Sequence, residues 1–163
     1  MNRYTMIPCV ITVLVGCVPP QPLATPSGRS EVTIKAPKDK IRSRLANVIL
    51  DTGGSIKTNT EFCIVGGKVS DSTAHSILYG GFPEERFRWD LIDNNDGVRV
   101  VFTAMMVAKP DTAFEQVTTL PPGAKIYKQI QAAMEIMKTK LEAEQAAKPV
   151  QPPPAHKPSS PPA

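Results

Sequence analysis

The sequence predicts an α+β fold: a small antiparallel sheet with two amphipathic helices packed on one face, between Pro-rich disordered ends. Three observations predict it. Residues 86–104 alternate apolar and polar positions about an Asn- and Asp-rich turn, the pattern of a hairpin with one buried face. Residues 38–52 and 124–147 each repeat apolar residues at helical spacing. Of 17 prolines, four fall within residues 18–30 and seven within 148–163, so the foldable part lies between those segments.

Taken in order, Glu31 to Ile34 alternates well enough for a short strand. Lys38 to Thr52 places Ile41, Leu45, Val48 and Ile49 on one helical face, and Gly53 can close the helix in a left-handed cap. Ile56 and the run Phe62 to Val65 read as strands, bounded by Gly66-Gly67. Residues 70–83, with Gly80, Gly81 and Pro83, read as a loop. Phe87, Trp89 and Leu91 then alternate with Arg86, Arg88 and Asp90, which puts the Trp on the opposite face from the arginines. Asp93 to Gly97 is a hairpin turn by composition. Val98, Val100, Phe102 and Ala104 continue as the partner strand; Val101, Met105 and Val107 add the apolar character of a more central one, and Pro110 ends it. After Pro121-Pro122-Gly123, residues Ile126, Tyr127, Ile130, Met134, Met137 and Leu141 form the second helical stripe. At that length the helix is expected to project beyond the sheet at its C-terminal end.

A chain of 163 residues with nine aromatics excludes a large multidomain enzyme, and 41% apolar with 21% charged residues excludes both a wholly disordered chain and a polytopic membrane protein. The division expected is 1–16 as an export signal, 17–30 as a Pro-rich tether, 31–147 as the α+β domain and 148–163 as a Pro-rich disordered tail. Removing residues 1–16 takes away Arg3 alone, so a net charge of +4 becomes +3, too mild to imply nucleic acid.

The address lies at the N-terminus. Arg3 precedes an apolar run from Met6 to Val15, too short to span a bilayer and interrupted by Pro8. The run closes on Leu14-Val15-Gly16-Cys17, which resembles the lipobox of bacterial lipoproteins. That resemblance implies cleavage between Gly16 and Cys17, and acylation of Cys17 with diacylglycerol and a third chain, enough for a stable anchor. Val18 in place of Asp points, by the sorting rule of the enterobacterial members, to the outer membrane. Cys9 then leaves with the signal and Cys17 is alkylated, so Cys63 is the one remaining thiol and no intramolecular disulfide can form. Within Phe62-Cys63-Ile64-Val65 it is expected to be buried and inert.

One motif carries an enzymatic reading. Asp51-Thr52-Gly53-Gly54-Ser55 resembles the active-site loop of aspartic proteases, where two carboxylates share a proton; a single copy implies a homodimer. That family also needs an aliphatic-aliphatic-Gly segment behind the loop, and Ile64-Val65-Gly66 follows Asp51 by only 13 residues. The preceding residues are helical by period, so Asp51 and Thr52 read better as a last helical turn with Gly53-Gly54 as the stop. Asp93 to Gly97 has Gly at position 5, with Ala104 at position 12, against a calcium loop. His75 and His156 are isolated from other ligand types, Met134 and Met137 read as core, and neither a metal nor a cofactor is expected.

The layout is similar to the small adaptor domains of envelope lipoproteins that serve outer-membrane assembly and secretion machines. The expected function is therefore that of a non-catalytic lipoprotein, held in the outer membrane by Cys17 and facing the periplasm. It would take an envelope protein partner through helix 124–147 or a sheet edge, with the tail as a contact to peptidoglycan.

Overall fold

The computed structural model describes residues 21–147, so Gly16, Cys17, His156 and the tail lie outside the described residues. Its elements are β1 (Glu31–Ile34), α1 (Lys38–Asp51), β2 (Ser55–Asn59), β3 (Cys63–Val69), α2 (Thr73–Tyr79), β4 (Glu84–Asn94), β5 (Gly97–Ala108), β6 (Gln116–Thr119) and α3 (Lys125–Ala146). The α+β class holds: six antiparallel strands run in the order β1-β5-β4-β3-β2, and β6 also pairs with β5.

The long β4–β5 hairpin is the spine. Its turn is tighter than composition indicated, because Asp93 and Asn94 belong to β4 and only Asn95 and Asp96 lie between the strands. Gly97 resumes pairing at φ 134°, where a Cβ would strike the carbonyl oxygen of Ile34, so glycine is needed there. One edge of β5 is shared: residues 98–101 pair with β1, and residues 105–108 with β6. At the junction Phe102 N–H donates to Ser30 O and Leu120 N–H to Ala104 O.

One face of the sheet carries the core. Val32, Ile34, Ile64, Trp89, Leu91, Val98, Val100, Phe102 and Ala104 point into it. Over them lie α1, on β2 and β3, and α3, on β1 and β5. Ile41, Leu45 and Ile49 recur every four residues on α1 and all are buried. Tyr127, Met134, Met137 and Leu141, spaced seven, three and four apart, form the corresponding buried stripe on α3. Trp89 and Phe102 lie 5.2 Å apart by ring centroid, and Tyr127 meets Phe102 edge-on at 5.7 Å, the offset geometries that aromatic quadrupoles favour.

Close approach of α1 to the sheet depends on Gly66. A Cβ there would meet Ile49 Cγ2 at 2.7 Å, and a β-branched side chain in a helix has little rotamer freedom with which to withdraw. Gly66→Ala is expected to destabilise the domain by about 1–3 kcal/mol through overpacking. Urea unfolding measures this, and an unchanged midpoint would show that α1 shifts without cost.

Several further differences from the sequence reading have identifiable causes. Residues 70–83 hold a helix, α2, rather than a loop throughout: Ser72 Oγ accepts from the His75 N–H, and Gly80 at φ 67° ends it. None of its residues is buried, so no core-facing period marked it. Strand β6 is exposed along its whole length and polar at three of four positions, so no alternation revealed it. α3 projects less than expected: Leu141 is buried and Glu142 Oε1 accepts from Lys35 N–H at 3.0 Å, so the helix stays docked to within about one turn of its end.

Cys63, expected to be buried, is half-buried on the face away from the helices, 3.6 Å from Thr60 Oγ1. Its parity on β3 opposes that of Ile64, and the helices cover only the Ile64 side. Residues 21–30, within the tether as read from its prolines, fold onto the domain. Leu23 packs against the core, Ser30 Oγ donates to Tyr127 O at 2.6 Å, and Arg29 Nη1 donates to Thr103 Oγ1 at 3.2 Å.

Candidate functional site

Because α1 rides on β2–β3 and α3 on β1–β5, the start of β4 between them is left uncovered. A cleft of about 260 Å3 opens there. Phe87 and Trp89 form its floor with Gly67; Val48, Ile49 and Thr52 of α1 form one wall, and Ile126 and Ile130 of α3 the other. Val48, read from the sequence as a core position, is 43% exposed because it faces this opening. Lys68 and Glu85 are cross-strand partners and stand at the rim with opposite charges. Glu85, Phe87 and Ile126 also border a second recess that runs beneath His75 to Met105, Met106 and Leu120. The cleft thus offers an apolar trough with charge of both signs at its edge, suited to an apolar side chain or short segment whose flanks are polar.

The opposite face is polar and ion-paired. Glu84 is 3% exposed, and its Oε2 accepts from Arg86 Nη2 at 2.6 Å while its Oε1 lies 3.2 Å from Lys57 Nζ. Gly67 leaves room for this carboxylate, since a Cβ would overlap it. Lys57 also donates to Asp111 at 2.7 Å, and Arg86 Nη1 to Glu115 Oε1 at 2.8 Å, so the network pins the β5–β6 connection against the sheet. The Glu115 and Glu84 carboxylates raise the Arg86 pKa further despite partial burial. Hydrogen bonds to Asp111 and then Glu84 raise that of Lys57. Arg86, followed by the Asp111 N–H, holds the Glu115 carboxyl below its ordinary value.

At the far edge Arg99 forms a bidentate pair with Glu31 at 2.8 and 2.9 Å. Burial alone would raise the Glu31 pKa, but the bonds from Arg99 and Ser27 outweigh it and leave it below 4.5. A carboxyl with a depressed folded pKa stabilises the fold above its unfolded value, and that contribution falls away as pH drops from 4.5 through the lower folded value. We expect the urea midpoint to fall across that acid window, and Glu31→Gln to flatten part of the fall. An identical pH slope in the variant would contradict the assignment.

The residues singled out from sequence fall apart in space. Asp51 is exposed on the last turn of α1, and Thr52 Oγ1 caps that turn by donating to Val48 O and Ile49 O; Gly53, at φ 76°, follows. The Asp-Thr-Gly segment is thus a helix terminus, where the protease loop would follow a strand. His75 Nδ1 lies 3.1 Å from Ser70 Oγ at the second recess. Among the described residues no three His, Cys, Asp or Glu side chains gather as a metal site, and no helix is long and apolar enough to cross a membrane. The cleft and the Glu84 network went unread. Glu84 draws Lys57 from 27 residues away and Arg86 draws Glu115 from 29, distances local patterns do not span.

No protein-family model, curated protein or solved structure matches the chain, which leaves the functional reading to the chemistry of its own residues.

Proposed function

We propose that the chain is a lipoprotein anchored through Cys17 in the outer membrane, facing the periplasm, and that it acts by binding an envelope protein rather than by catalysis. The observation that carries the binding role is the apolar cleft between α1 and α3, floored by Phe87 and Trp89 and rimmed by Lys68 and Glu85. An aromatic floor with charged edges is the composition of an interface centre and its rim. The sequence Leu14-Val15-Gly16-Cys17 supports the anchor. The Pro-rich residues 148–163 are assigned a peptidoglycan contact on composition alone.

The anchor is tested by the mass of the mature N-terminus from membrane fractions. An acylated Cys17 peptide, absent in Cys17→Ser, is expected; an unmodified N-terminus elsewhere would overturn the assignment. The binding role is tested by filling the cleft with Ile130→Trp and comparing it with Arg88→Ala on the opposite face. Photo-crosslinking from residue 126 in living cells is expected to give a protein adduct that Ile130→Trp abolishes and Arg88→Ala keeps. Equal yields in all three chains would refute a role for the cleft.

A further inference from the structure

The cleft floored by Phe87 and Trp89 is the apolar end of a longer groove. As α1 runs from Lys40 to Thr52, the residues facing it on α3 run backward: Lys40, Arg44 and Asn47 border a recess with Leu141 and Glu144, whereas Val48 and Thr52 border the cleft with Ile126 and Ile130. The two helices are therefore antiparallel neighbours, and α3 ends at the polar mouth of the groove between them. From Ala147 back to Ile130 and Ile126 is a path of 17 to 21 helical residues, about 26 to 32 Å. The 16 residues that follow Ala147 cover about 50 Å as polyproline II, so they span the groove with length left over for the reversal.

The trough favours a guest of particular chemistry. β4 beneath it is paired on both sides, by β3 and β5, so the floor offers no ladder acceptor for a guest's amide N–H. An ordinary peptide buried there would strand its donors, and proline has none. Residues 149–162 hold seven prolines, pre-set for the extended form in which aromatic-lined grooves take Pro-rich segments, so ordering them costs little. Arg44 and Asn47, in the polar half of the groove, supply donors for the carbonyls of such a segment. Charge fits as well: Lys157 comes about 31 Å after Ala147 in polyproline II, level with Ile126, where Glu85 stands at the rim. A tether this short holds the segment at an effective concentration of about 1 mM, so even weak docking fills the trough.

We propose that residues 152–162 of this chain fold back along the α1–α3 groove and occupy the cleft, with prolines on the Phe87–Trp89 floor and Lys157 beside Glu85. The inference rests on the binding role given to the cleft. The Pro-rich tail is its resident ligand, and an envelope partner gains the trough by displacing it, which frees the tail for its contact with peptidoglycan.

The test uses the purified mature chain, free of other proteins, with a photo-crosslinking residue at position 48 or, in a second chain, at position 52; both are exposed on the α1 wall. An intrachain adduct at monomer mobility is expected, mapped by peptide mass to residues 152–162. Its yield should fall about fivefold when Pro153→Ser, Pro154→Ser and Pro158→Ser are combined, and comparably in Glu85→Lys, where adding Lys157→Glu restores it. A merely structural effect of Glu85→Lys would not be rescued from the tail. No tail adduct from either position, an equal tail adduct from position 88 on the opposite face, or an adduct at dimer mobility, in which the tail comes from a second copy, overturns the proposal. In living cells the triple-Ser chain is expected to raise the partner adduct from residue 126 about threefold, since its competitor is gone. A partner adduct in cells without a tail adduct in the purified chain refutes the tail and keeps the binding role; a tail adduct with no partner adduct does the reverse.

Discussion

Tyr127→Ala is expected to cost about 4 kcal/mol of stability, the scale of removing a large aromatic from a core. Tyr127 has no solvent exposure and ties three parts of the fold. Its ring packs edge-on against Phe102, its hydroxyl donates to Leu120 O at 3.1 Å, and the same oxygen accepts from Ala104 N–H at 3.3 Å. Truncation opens a cavity and strands a backbone donor between β5 and β6. Tyr127→Phe keeps the ring and loses only the hydroxyl, so a smaller loss of about 1–2 kcal/mol is expected. Urea unfolding of the two variants separates the contributions. Hydrogen exchange at Ala104 should accelerate in both. If the phenylalanine variant is as unstable as the alanine one, the hydroxyl bridge rather than packing dominates.

Glu84→Ala is expected to rank next, at about 3 kcal/mol, because removing one partner of a buried ion pair leaves charge uncompensated. Lys57 would keep Asp111 and Arg86 would keep Glu115, but both would lose the acceptor that sits deepest between them. Glu84→Gln retains an acceptor without the charge and should be intermediate. The local consequence is as informative as the global one: with Glu84 gone, exchange of amides in residues 109–115 should rise more than in β4. Uniform protection across both segments would show that the connection is held by something other than this network.

These two sites also show what could be read in advance. Tyr127 was legible because its place in the stripe with Met134 and Leu141 follows from helical period, and burial of such a stripe is nearly the only way to remove it from water. Trp89 was legible because strand alternation separates it from Arg86 and Arg88, and it does lie in the core. Glu84 was not, since alternation places it on the solvent face and only the β5–β6 connection folding back over that face buries it. Likewise α2 and β6 gain nothing from the core, so hydrophobic pattern was silent on both. The cleft was illegible for a different reason: it arises from the lateral offset of α1 and α3 across the sheet, a tertiary quantity that no single segment encodes.

The shared edge of β5 has a kinetic consequence. β4 and β5 are neighbours in sequence and can zip from their two-residue turn, a low-entropy start. β1 pairs with residues that come 64 to 70 positions later, and α3 then seals both strands with Leu141 and Glu142 near its end. A chain emerging N-terminus first therefore carries β1 unpaired until almost the whole domain has appeared. Its core can close only when the last helix arrives, so the polypeptide stays without its native packing for most of its synthesis.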